Sequence, residues 1–255
     1  MCIRDRYKPD KLKEKAPLLF VLHGYTSNST NIMNYSAMNS IADRHGFMVC
    51  YPQGTRNLYT GQTHWNANLK EMSSIADSDF LNDLAIKLQA EYNLSEKNTF
   101  ACGMSNGGFM SYHLACNLSN QIAAIASVTG SMTPETFANC NPTHATPILQ
   151  ILGLLDYTVP YNGLSYMESI PKVMEYWSEY NSCSSEPDES TIENISEGYV
   201  INIQEYKNCL NDVNVKLYLH SSMGHTWPRI SNYGISASSE VWNFVSQYNL
   251  YGKIN

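Results

Sequence analysis

The chain has 255 residues, of which 43% are hydrophobic and 15% are charged, and its formal net charge is −7. A chain of this length buries roughly three quarters of its unfolded surface, which is enough for a stable core. No apolar run approaches the roughly 18 residues of a membrane span. No basic cluster extends beyond residues 8–15, which argues against a nucleic-acid partner. The composition excludes integral membrane, fibrous and disordered proteins.

The first half of the chain alternates short apolar runs with helical patterns. The runs at Leu18–Leu22 and 47–51 are typical of strands buried on both faces. Between them lies a single helical pattern, which is predicted to end at Gly46. Further strands are predicted at 99–102, 122–128 and 148–152, and further helices at Asp77–Tyr92 and 107–117.

The second half begins with a helix over Ile170–Tyr180 and a Ser/Glu/Pro-rich loop at 182–189. Strands at 198–206 and Val215–His220 and a last helix at 238–248 follow. Repeated strand–helix units predict an α/β fold with a mostly parallel central sheet and helices on both faces. No stretch resembles a linker, so residues 1–255 are predicted to form one domain.

A candidate nucleophile lies in Gly103-Met104-Ser105-Asn106-Gly107, which matches the G-x-S-x-G nucleophile elbow. The motif alone is common, but here a predicted strand precedes it and a Gly-rich helix start follows it, as the elbow requires. The Ser105 hydroxyl would then stand at a helix N-terminus, where N–H groups and the helix dipole favour negative charge. The alternative is a glycine-rich turn with an incidental serine.

A base and an orienting acid follow the nucleophile in the chain order Ser, Asp/Glu, His. Asp156 comes just after the strand at 148–152, and His225 just after Val215–His220. Both positions are where strands end at the carboxyl edge of a parallel sheet, beside Ser105. The competing histidines lie in helices, in a strand or in a proline-flanked loop: His45, His113, His144 and His220.

Other predicted site residues surround this triad. The loop after the first buried strand and the residue after the nucleophile supply oxyanion-hole N–H groups, which assigns these donors to Tyr25 and Asn106. His23 is predicted to belong to the substrate-binding site, either by buttressing its loop or through a direct chemical role. Trp65 and Trp227 are predicted walls for an aromatic acyl group or a sugar, the alternative being core aromatics.

The seven cysteines are an odd number, so at least one thiol has no partner within the chain. Cys183 and Cys209 lie in polar, loop-rich sequence and are predicted to form a disulfide, with Cys116–Cys140 as a second candidate pair. Disulfides imply an oxidising compartment. Residues 1–15 nevertheless lack the apolar region of a signal peptide.

Five segments together resemble the polyhydroxybutyrate depolymerase/feruloyl esterase group of carbohydrate esterase family 1. They are Leu22-His23-Gly24-Tyr25, Tyr51-Pro52-Gln53-Gly54, Gly103-Met104-Ser105-Asn106-Gly107-Gly108, Asp156 with Val159-Pro160-Tyr161, and Gly224-His225-Thr226-Trp227-Pro228. The resemblance runs from about residue 17 to residue 244. It implies an α/β-hydrolase fold, a triad of Ser105, Asp156 and His225, no cofactor, and a secreted or periplasmic location.

The chain departs from that group in two places. Members of the group begin with two antiparallel strands, and in this chain only Tyr7-Lys8-Pro9 could correspond to the end of that segment. We therefore expect the native start, with its signal peptide, to be missing. Leu155 stands where the group has a small residue, which alters the surroundings of Asp156.

The resemblance implies a serine esterase acting on feruloyl or acetyl esters of plant polysaccharides, with a polyester depolymerase of the same chemistry as the alternative. A peptidase, an acyltransferase and an inactive binding module of the same fold remain open. No cluster with metal-ligand spacing and no phosphate-binding loop is found, so neither metal nor nucleotide is expected. The expected partner is a small or polymeric ester, without nucleic acid or membrane, and the sequence does not indicate an oligomeric state.

Overall fold

In a computed structural model, which describes residues 6–69 and 75–254, the chain is built on a nine-stranded sheet. Its strands are β1 (Arg6–Tyr7), β2 (Leu18–Leu22), β3 (Met48–Cys50), β4 (Thr99–Met104), β5 (Ala124–Val128), β6 (Ile148–Gly153), β7 (Asp188–Asn194), β8 (Tyr199–Tyr206) and β9 (Val215–His220). The order across the sheet is β1-β3-β2-β4-β5-β6-β9-β8-β7. The six strands from β3 to β9 in this order are parallel, and antiparallel strands flank them on both sides.

Helices cover both faces of this sheet. They are α1 (Ser29–Ser36), α2 (Met38–His45), α3 (Asp77–Tyr92), α4 (Asn106–Asn117), α5 (Pro134–Ala138), α6 (Ile170–Tyr180), α7 (Ile230–Tyr233) and α8 (Ala237–Val245). A short 3₁₀ turn (Leu210–Asp212) precedes β9, and β10 (Tyr248–Asn249) pairs with β11 (Gly252–Lys253) near the end.

Alternate residues of each central strand enter two separate cores. In β2, Leu18 and Phe20 pack in the core that α3, α4 and α6 cover, whereas Leu19 and Val21 pack in the core of α1, α2 and α8. Because both faces are buried, the strand is apolar at every position. The predicted parallel sheet with helices on both faces is confirmed.

Three element predictions were wrong. The single helix that Gly46 ends is two helices, because Ala37 adopts a left-handed conformation with φ of 51° and interrupts the run. β7 begins inside the predicted loop at 182–189. Its sequence DESTIEN is polar because the strand lies at the edge of the sheet with both faces exposed to solvent, so no hydrophobic pattern indicates a strand. The last helix ends at Val245, and Tyr248 lies in β10 instead.

Both candidate disulfides are present. Cys183 pairs with Cys209 and fastens the end of α6 to the segment after β8, which confirms that prediction. Cys116 pairs with Cys140 and ties the end of α4 to the turn after α5. Cys50 and Cys102 are buried free thiols, and Cys2 lies outside the described residues. Within the described ranges, no helix combines the length and apolar character needed to cross a bilayer.

Candidate active site

Ser105 lies at the sharp turn between β4 and α4. Its backbone has φ of 55° and ψ of −122°, a conformation that residues with a side chain rarely adopt and that costs about 1–3 kcal/mol. A Cβ at Gly107 would lie 2.3 Å from the carbonyl oxygen of Leu22, and one at Gly103 would lie 2.4 Å from that of Gly107. The flanking glycines are therefore required because backbone segments approach each other closely around the strained serine.

Asp156 and His225 lie in the loops after β6 and β9 and form a hydrogen-bonded pair. His225 Nδ1 lies 2.8 Å from Asp156 Oδ2. The other carboxylate oxygen accepts hydrogen bonds from the backbone N–H groups of Thr158 at 2.9 Å and Val159 at 2.8 Å. Because Asp156 is only 1% exposed, these contacts fix the carboxylate and, through it, the orientation of the imidazole.

Ser105 and His225 line one cleft, together with Tyr25 and Tyr35. No hydrogen bond joins these two described side chains. In free enzymes, such bonds between nucleophile and base are often long and shorten only when substrate binds. The structure thus brings the three predicted triad residues to one edge of the sheet, with the final serine–histidine contact still to be made.

The predicted oxyanion donors, Tyr25 and Asn106, adjoin Ser105. Asn106 is the first residue of α4, where backbone N–H groups have no intrahelical acceptor and the helix dipole favours a negative charge. Tyr25 lines both the cleft and a neighbouring cavity, and a Cβ at the preceding Gly24 would lie 3.5 Å from Ser105 Cβ. The loop after β2 therefore runs directly past the candidate nucleophile.

The side chain of His23 is buried beneath the site, which contradicts a direct place in the substrate-binding site and leaves the buttressing alternative. It is completely buried, its Nδ1 lies 2.8 Å from the Gly24 carbonyl oxygen, and its Nε2 accepts the Gly54 N–H at 3.0 Å. Burial lowers the pKa of His23 to about 4, so the ring is neutral at pH 7. The residue holds the loops after β2 and β3 together, which corresponds to the buttressing role.

The two predicted tryptophan walls differ in their placement. Trp227 is 2% exposed, and its indole donates to Ser238 Oγ at 3.0 Å within the core that α8 covers. This burial contradicts a wall role, although His225 is only two residues away. Trp65 is also buried, with its indole donating to the His23 carbonyl oxygen at 3.0 Å, yet it lines a cavity beside Ser105.

That cavity has a volume of about 350 Å³ and opens at Ser105. Most of its wall is apolar, and the side chains responsible are Trp65, Leu69, Phe109, Val159, Tyr166 and Met167. Pockets of roughly 300–1,000 Å³ hold compact organic ligands in proteins. We refer to this space below as the apolar cavity.

The side chain of Asn106 has a role that the sequence did not reveal. Its Oδ1 accepts the Trp65 N–H at 2.6 Å, and its Nδ2 donates to the Trp65 carbonyl oxygen at 2.9 Å. The residue next to the nucleophile thus fixes the wall of the apolar cavity relative to Ser105. Only its backbone position was indicated by the motif.

Tyr35 is a second residue that the sequence did not single out. Its hydroxyl contacts Thr226 Oγ1 at 2.5 Å and accepts the Trp227 N–H at 3.2 Å. Arg229 donates to the Tyr35 carbonyl oxygen at 2.7 Å, and its guanidinium lies 5.7 Å from the Tyr35 ring centre. These contacts attach α1 to the loop that carries His225. The contacts join residues nearly two hundred positions apart, so no local pattern could reveal them.

Comparisons with known proteins indicate the family of the chain. The family model of phospholipases and carboxylesterases matches residues 9–178. A bifunctional acetylxylan esterase/xylanase of Neocallimastix patriciarum is 25% identical over 98% of this chain and 34% of its own length. Feruloyl esterase B of Piromyces equi is 26% identical over 92% of this chain and 42% of its own length. The chain therefore spans less than half the length of these relatives.

Solved structures show a similar arrangement. An acetyl xylan esterase from Aspergillus awamori superposes with a TM-score of 0.65 and 16% identity, covering 94% of this chain and 92% of its own. The crystal structure of esterase PE8 gives a TM-score of 0.62 at 16% identity, covering 94% of this chain and 97% of its own. At these identities the likeness concerns the fold, and it confirms the α/β-hydrolase fold expected from the sequence.

Proposed function

Because the chain belongs to the phospholipase/carboxylesterase family, we propose that it is a serine esterase whose triad is Ser105, His225 and Asp156. The observation that carries this proposal is the hydrogen bond of 2.8 Å between the buried Asp156 and the half-buried His225, at the edge of the cleft that Ser105 lines. The strained backbone of Ser105 supports it, since such strain is concentrated at functional sites.

The chemistry follows from the roles that these groups can take. His225 Nε2 accepts the hydroxyl proton as Ser105 Oγ attacks the ester carbonyl, and Asp156 stabilises the imidazolium that forms. The backbone N–H groups of Tyr25 and Asn106 stabilise the oxyanion, and one such donor is worth about 2.7–4 kcal/mol. His225 then gives its proton to the departing alcohol. Water, activated by the same histidine, hydrolyses the acyl-enzyme and regenerates Ser105.

The apolar cavity supports an ester with a bulky acyl group. An acetyl group would occupy only a small part of about 350 Å³, whereas a hydroxycinnamoyl group presents an aromatic ring to Trp65 and Phe109. We therefore favour feruloyl-type esters of plant polysaccharides, and one relative is named a feruloyl esterase. The relative named an acetylxylan esterase keeps acetyl esters as the second candidate.

The two disulfides support an oxidising location, secreted or periplasmic, since such bonds rarely persist in the cytosol. We also propose that residues 1–255 act as a single catalytic domain, because the predicted triad residues all lie in loops of one sheet.

A fluorophosphonate probe and a substrate panel test the activity. The parent chain should be labelled once, and Ser105→Ala should lose both labelling and turnover while its melting temperature stays unchanged. Ser196→Ala, in the turn between β7 and β8, is the matched control and should behave like the parent. Asp156→Asn should lower kcat by roughly 10⁴ because the wrong tautomer of His225 is favoured. Retention of a tenth of the activity in His225→Ala would refute the triad.

The panel compares methyl ferulate, acetylated xylan, a hydroxybutyrate oligomer and an acyl p-nitroanilide under identical conditions. Preference for methyl ferulate over the acetyl and hydroxybutyrate esters is the expected result. Preference for acetylated xylan would transfer the assignment to the second candidate. Faster cleavage of the anilide would indicate a peptidase instead.

A further inference from the structure

Tyr25, whose backbone N–H is a proposed oxyanion donor, lies in a tight turn after β2. The Ser27 N–H donates to the Gly24 carbonyl oxygen at 3.2 Å, so Tyr25 and Thr26 are the two central residues of this turn. Thr26 has φ of 65°, a left-handed conformation that such turns usually give to glycine or asparagine. A β-branched residue keeps this conformation only where its surroundings impose it. The turn therefore depends on contacts from outside it.

Those contacts come from the segment of residues 55–63, which follows β3 and which we call the clamp loop. The Thr26 N–H donates to the Thr63 carbonyl oxygen at 2.9 Å. Thr63 Oγ1 donates in turn to the Ser27 carbonyl oxygen at 2.5 Å. One threonine of the clamp loop thus holds the backbone of the turn at its strained residue and at the residue after it.

The clamp loop also holds the side chain of Tyr25. The Tyr25 hydroxyl donates to Thr60 Oγ1 at 2.9 Å. Among their described lining residues, the apolar cavity and the cleft with His225 share Tyr25 and Ser105, so Tyr25 lies where the two spaces meet. Because Tyr25 is 38% exposed, packing alone would hold its ring weakly. The hydrogen bond to Thr60 supplies a fixed point for it.

The clamp loop is braced from within. Asn57 is 2% exposed, and its Oδ1 accepts the N–H groups of Tyr59 at 2.8 Å and Thr60 at 3.1 Å. The Asn57 N–H donates to the Gln62 carbonyl oxygen at 2.8 Å, and the Asn57 carbonyl oxygen accepts the Gly61 N–H at 2.8 Å. A loop with these internal contacts can hold the turn in one position.

The base of the clamp loop joins the buried contacts beneath Ser105. The Gly54 N–H donates to His23 Nε2 at 3.0 Å, and the His64 N–H donates to the Thr55 carbonyl oxygen at 3.0 Å. A Cβ at Gly54 would lie 2.3 Å from the His64 carbonyl oxygen, so the two ends of the loop are in close backbone contact. The clamp loop is therefore anchored at its base as well as at the turn.

We infer that the clamp loop positions the oxyanion donor, because Thr60 and Thr63 hold the turn in the conformation that keeps the Tyr25 N–H beside Ser105. This inference rests on the proposed function, which gives the turn its part in catalysis. Thr60 and Thr63 line neither the apolar cavity nor the cleft, so they are positioning residues that act through Tyr25. A displaced donor weakens the hydrogen bond to the oxyanion, which develops in the transition state, so kcat should fall and KM should not change.

Thr63→Val removes the hydroxyl that holds the Ser27 carbonyl oxygen and keeps the size of the side chain. We expect kcat for methyl ferulate and for p-nitrophenyl acetate to fall about five-fold, the effect of one lost hydrogen bond, with KM unchanged. Thr60→Val should lower kcat about three-fold, since its hydrogen bond is exposed to solvent. Thr63→Ser retains the hydroxyl and should recover most of the activity. Thr191→Val, on the exposed edge strand β7, is the matched control and should leave both constants unchanged.

An ester with sulfur in place of the carbonyl oxygen shows whether the effect reaches the oxyanion. Sulfur is a weak hydrogen-bond acceptor, so p-nitrophenyl thionoacetate gains little from the oxyanion donors. Its kcat should therefore fall less than about two-fold in Thr63→Val. Equal falls for p-nitrophenyl acetate and its thionoester would overturn the inference, and so would an unchanged kcat of Thr63→Val for both oxygen esters. A Thr63→Ser variant as slow as Thr63→Val would also overturn it.

Hydrogen exchange separates this inference from the proposed function. The Thr26 amide, which donates to Thr63, should exchange about three-fold faster or more in Thr63→Val than in the parent chain, and at the parent rate in Thr191→Val. Faster exchange supports the clamp even if the parent chain hydrolyses none of the esters, in which case the proposed function alone fails. An unchanged exchange rate in both Thr63→Val and Thr60→Val would overturn the clamp even if methyl ferulate is hydrolysed.

Discussion

Replacing Asn106 by alanine removes the side chain that attaches the wall of the apolar cavity to the start of α4. The parent residue is 3% exposed and makes two hydrogen bonds to the backbone of Trp65, at 2.6 Å and 2.9 Å. The backbone N–H of residue 106, the proposed oxyanion donor, is still present in Asn106→Ala. The substitution therefore separates the support of the cavity wall from the stabilisation of the oxyanion.

The expected cost follows from those two contacts. Truncation leaves the buried N–H of Trp65 without a partner, which costs about 1–3 kcal/mol. It also removes one of the two hydrogen bonds that the Trp65 carbonyl oxygen accepts, the other coming from the Ala67 N–H at 3.0 Å, and such a bond contributes about 0.5–1.5 kcal/mol. A total near 3 kcal/mol corresponds to a fall in melting temperature of about 6–12 °C for a chain of this size. Because Trp65 is then less firmly held, KM for methyl ferulate should rise, while kcat for a p-nitrophenyl acetate, which does not fill the cavity, should change little.

Thermal unfolding and steady-state kinetics on the two esters measure these effects. Asn117→Ala, at the exposed end of the same helix, removes two solvent-exposed contacts to His113, one to its carbonyl oxygen and one to its Nδ1, and is the matched control. Its melting temperature should fall by less than a third as much. A melting temperature of Asn106→Ala within 1 °C of the parent would refute the reasoning, since two buried hydrogen bonds cannot then support the wall.

Three further changes test the supports around the site. In urea unfolding, the free energy of unfolding of His23→Gln should fall less between pH 7 and pH 4.5 than that of the parent chain. In the folded parent, His23 takes up a proton only near its lowered pKa of about 4, whereas in the unfolded chain it takes one up near pH 6.5, so acid favours the unfolded parent. That difference amounts to roughly 2.5 kcal/mol in this window. Cys183→Ser and Cys209→Ser should each reduce the free energy of unfolding by about 3 kcal/mol, with no further loss in the double variant. Tyr35→Phe should lower kcat about five-fold on every ester, because the loop with His225 loses a hydrogen bond.

Each of these changes has its own control. His144→Gln removes a less buried histidine, and equal curves for the two variants would contradict the linkage to His23. Free thiols at both positions in non-reduced peptides of oxidatively produced protein would contradict the role of the disulfide. Tyr251→Phe, at an exposed tyrosine, should leave kcat unchanged, and a similar fall in both tyrosine variants would show that Tyr35 does not position His225.

The positions of the predicted triad residues along the sheet were easier to infer from the sequence than the edge strands, and there is a physical reason for this. Ser105, Asp156 and His225 each follow an apolar run, and parallel strands that are buried on both faces produce such runs without ambiguity. β7 has no buried face, so its residues carry no hydrophobic signal and its pairing with β8 depends on the backbone alone. Ala37 breaks a helix with a residue that favours helices, which no propensity scale predicts.

Burial of individual aromatic residues was harder to predict. Trp227 lies in the same motif as His225, yet its side chain is buried and its indole donates to Ser238 at the start of α8. His23 lies in a motif that suggests chemistry, but its two ring nitrogens are occupied by backbone partners from its own loop and the loop after β3. Such partners become visible only when the loops are placed in three dimensions.

One network of buried polar contacts joins the supports of the strained serine. His23 accepts the Gly54 N–H with its ring and the Trp65 indole N–H with its carbonyl oxygen, and Asn106 holds the backbone of Trp65 from the other side. The loops after β2, β3 and β4 are therefore connected directly beneath Ser105. A backbone conformation that costs about 1–3 kcal/mol persists only where its surroundings over-determine it. We infer that this network supplies that constraint, together with the close backbone approach at Gly103 and Gly107.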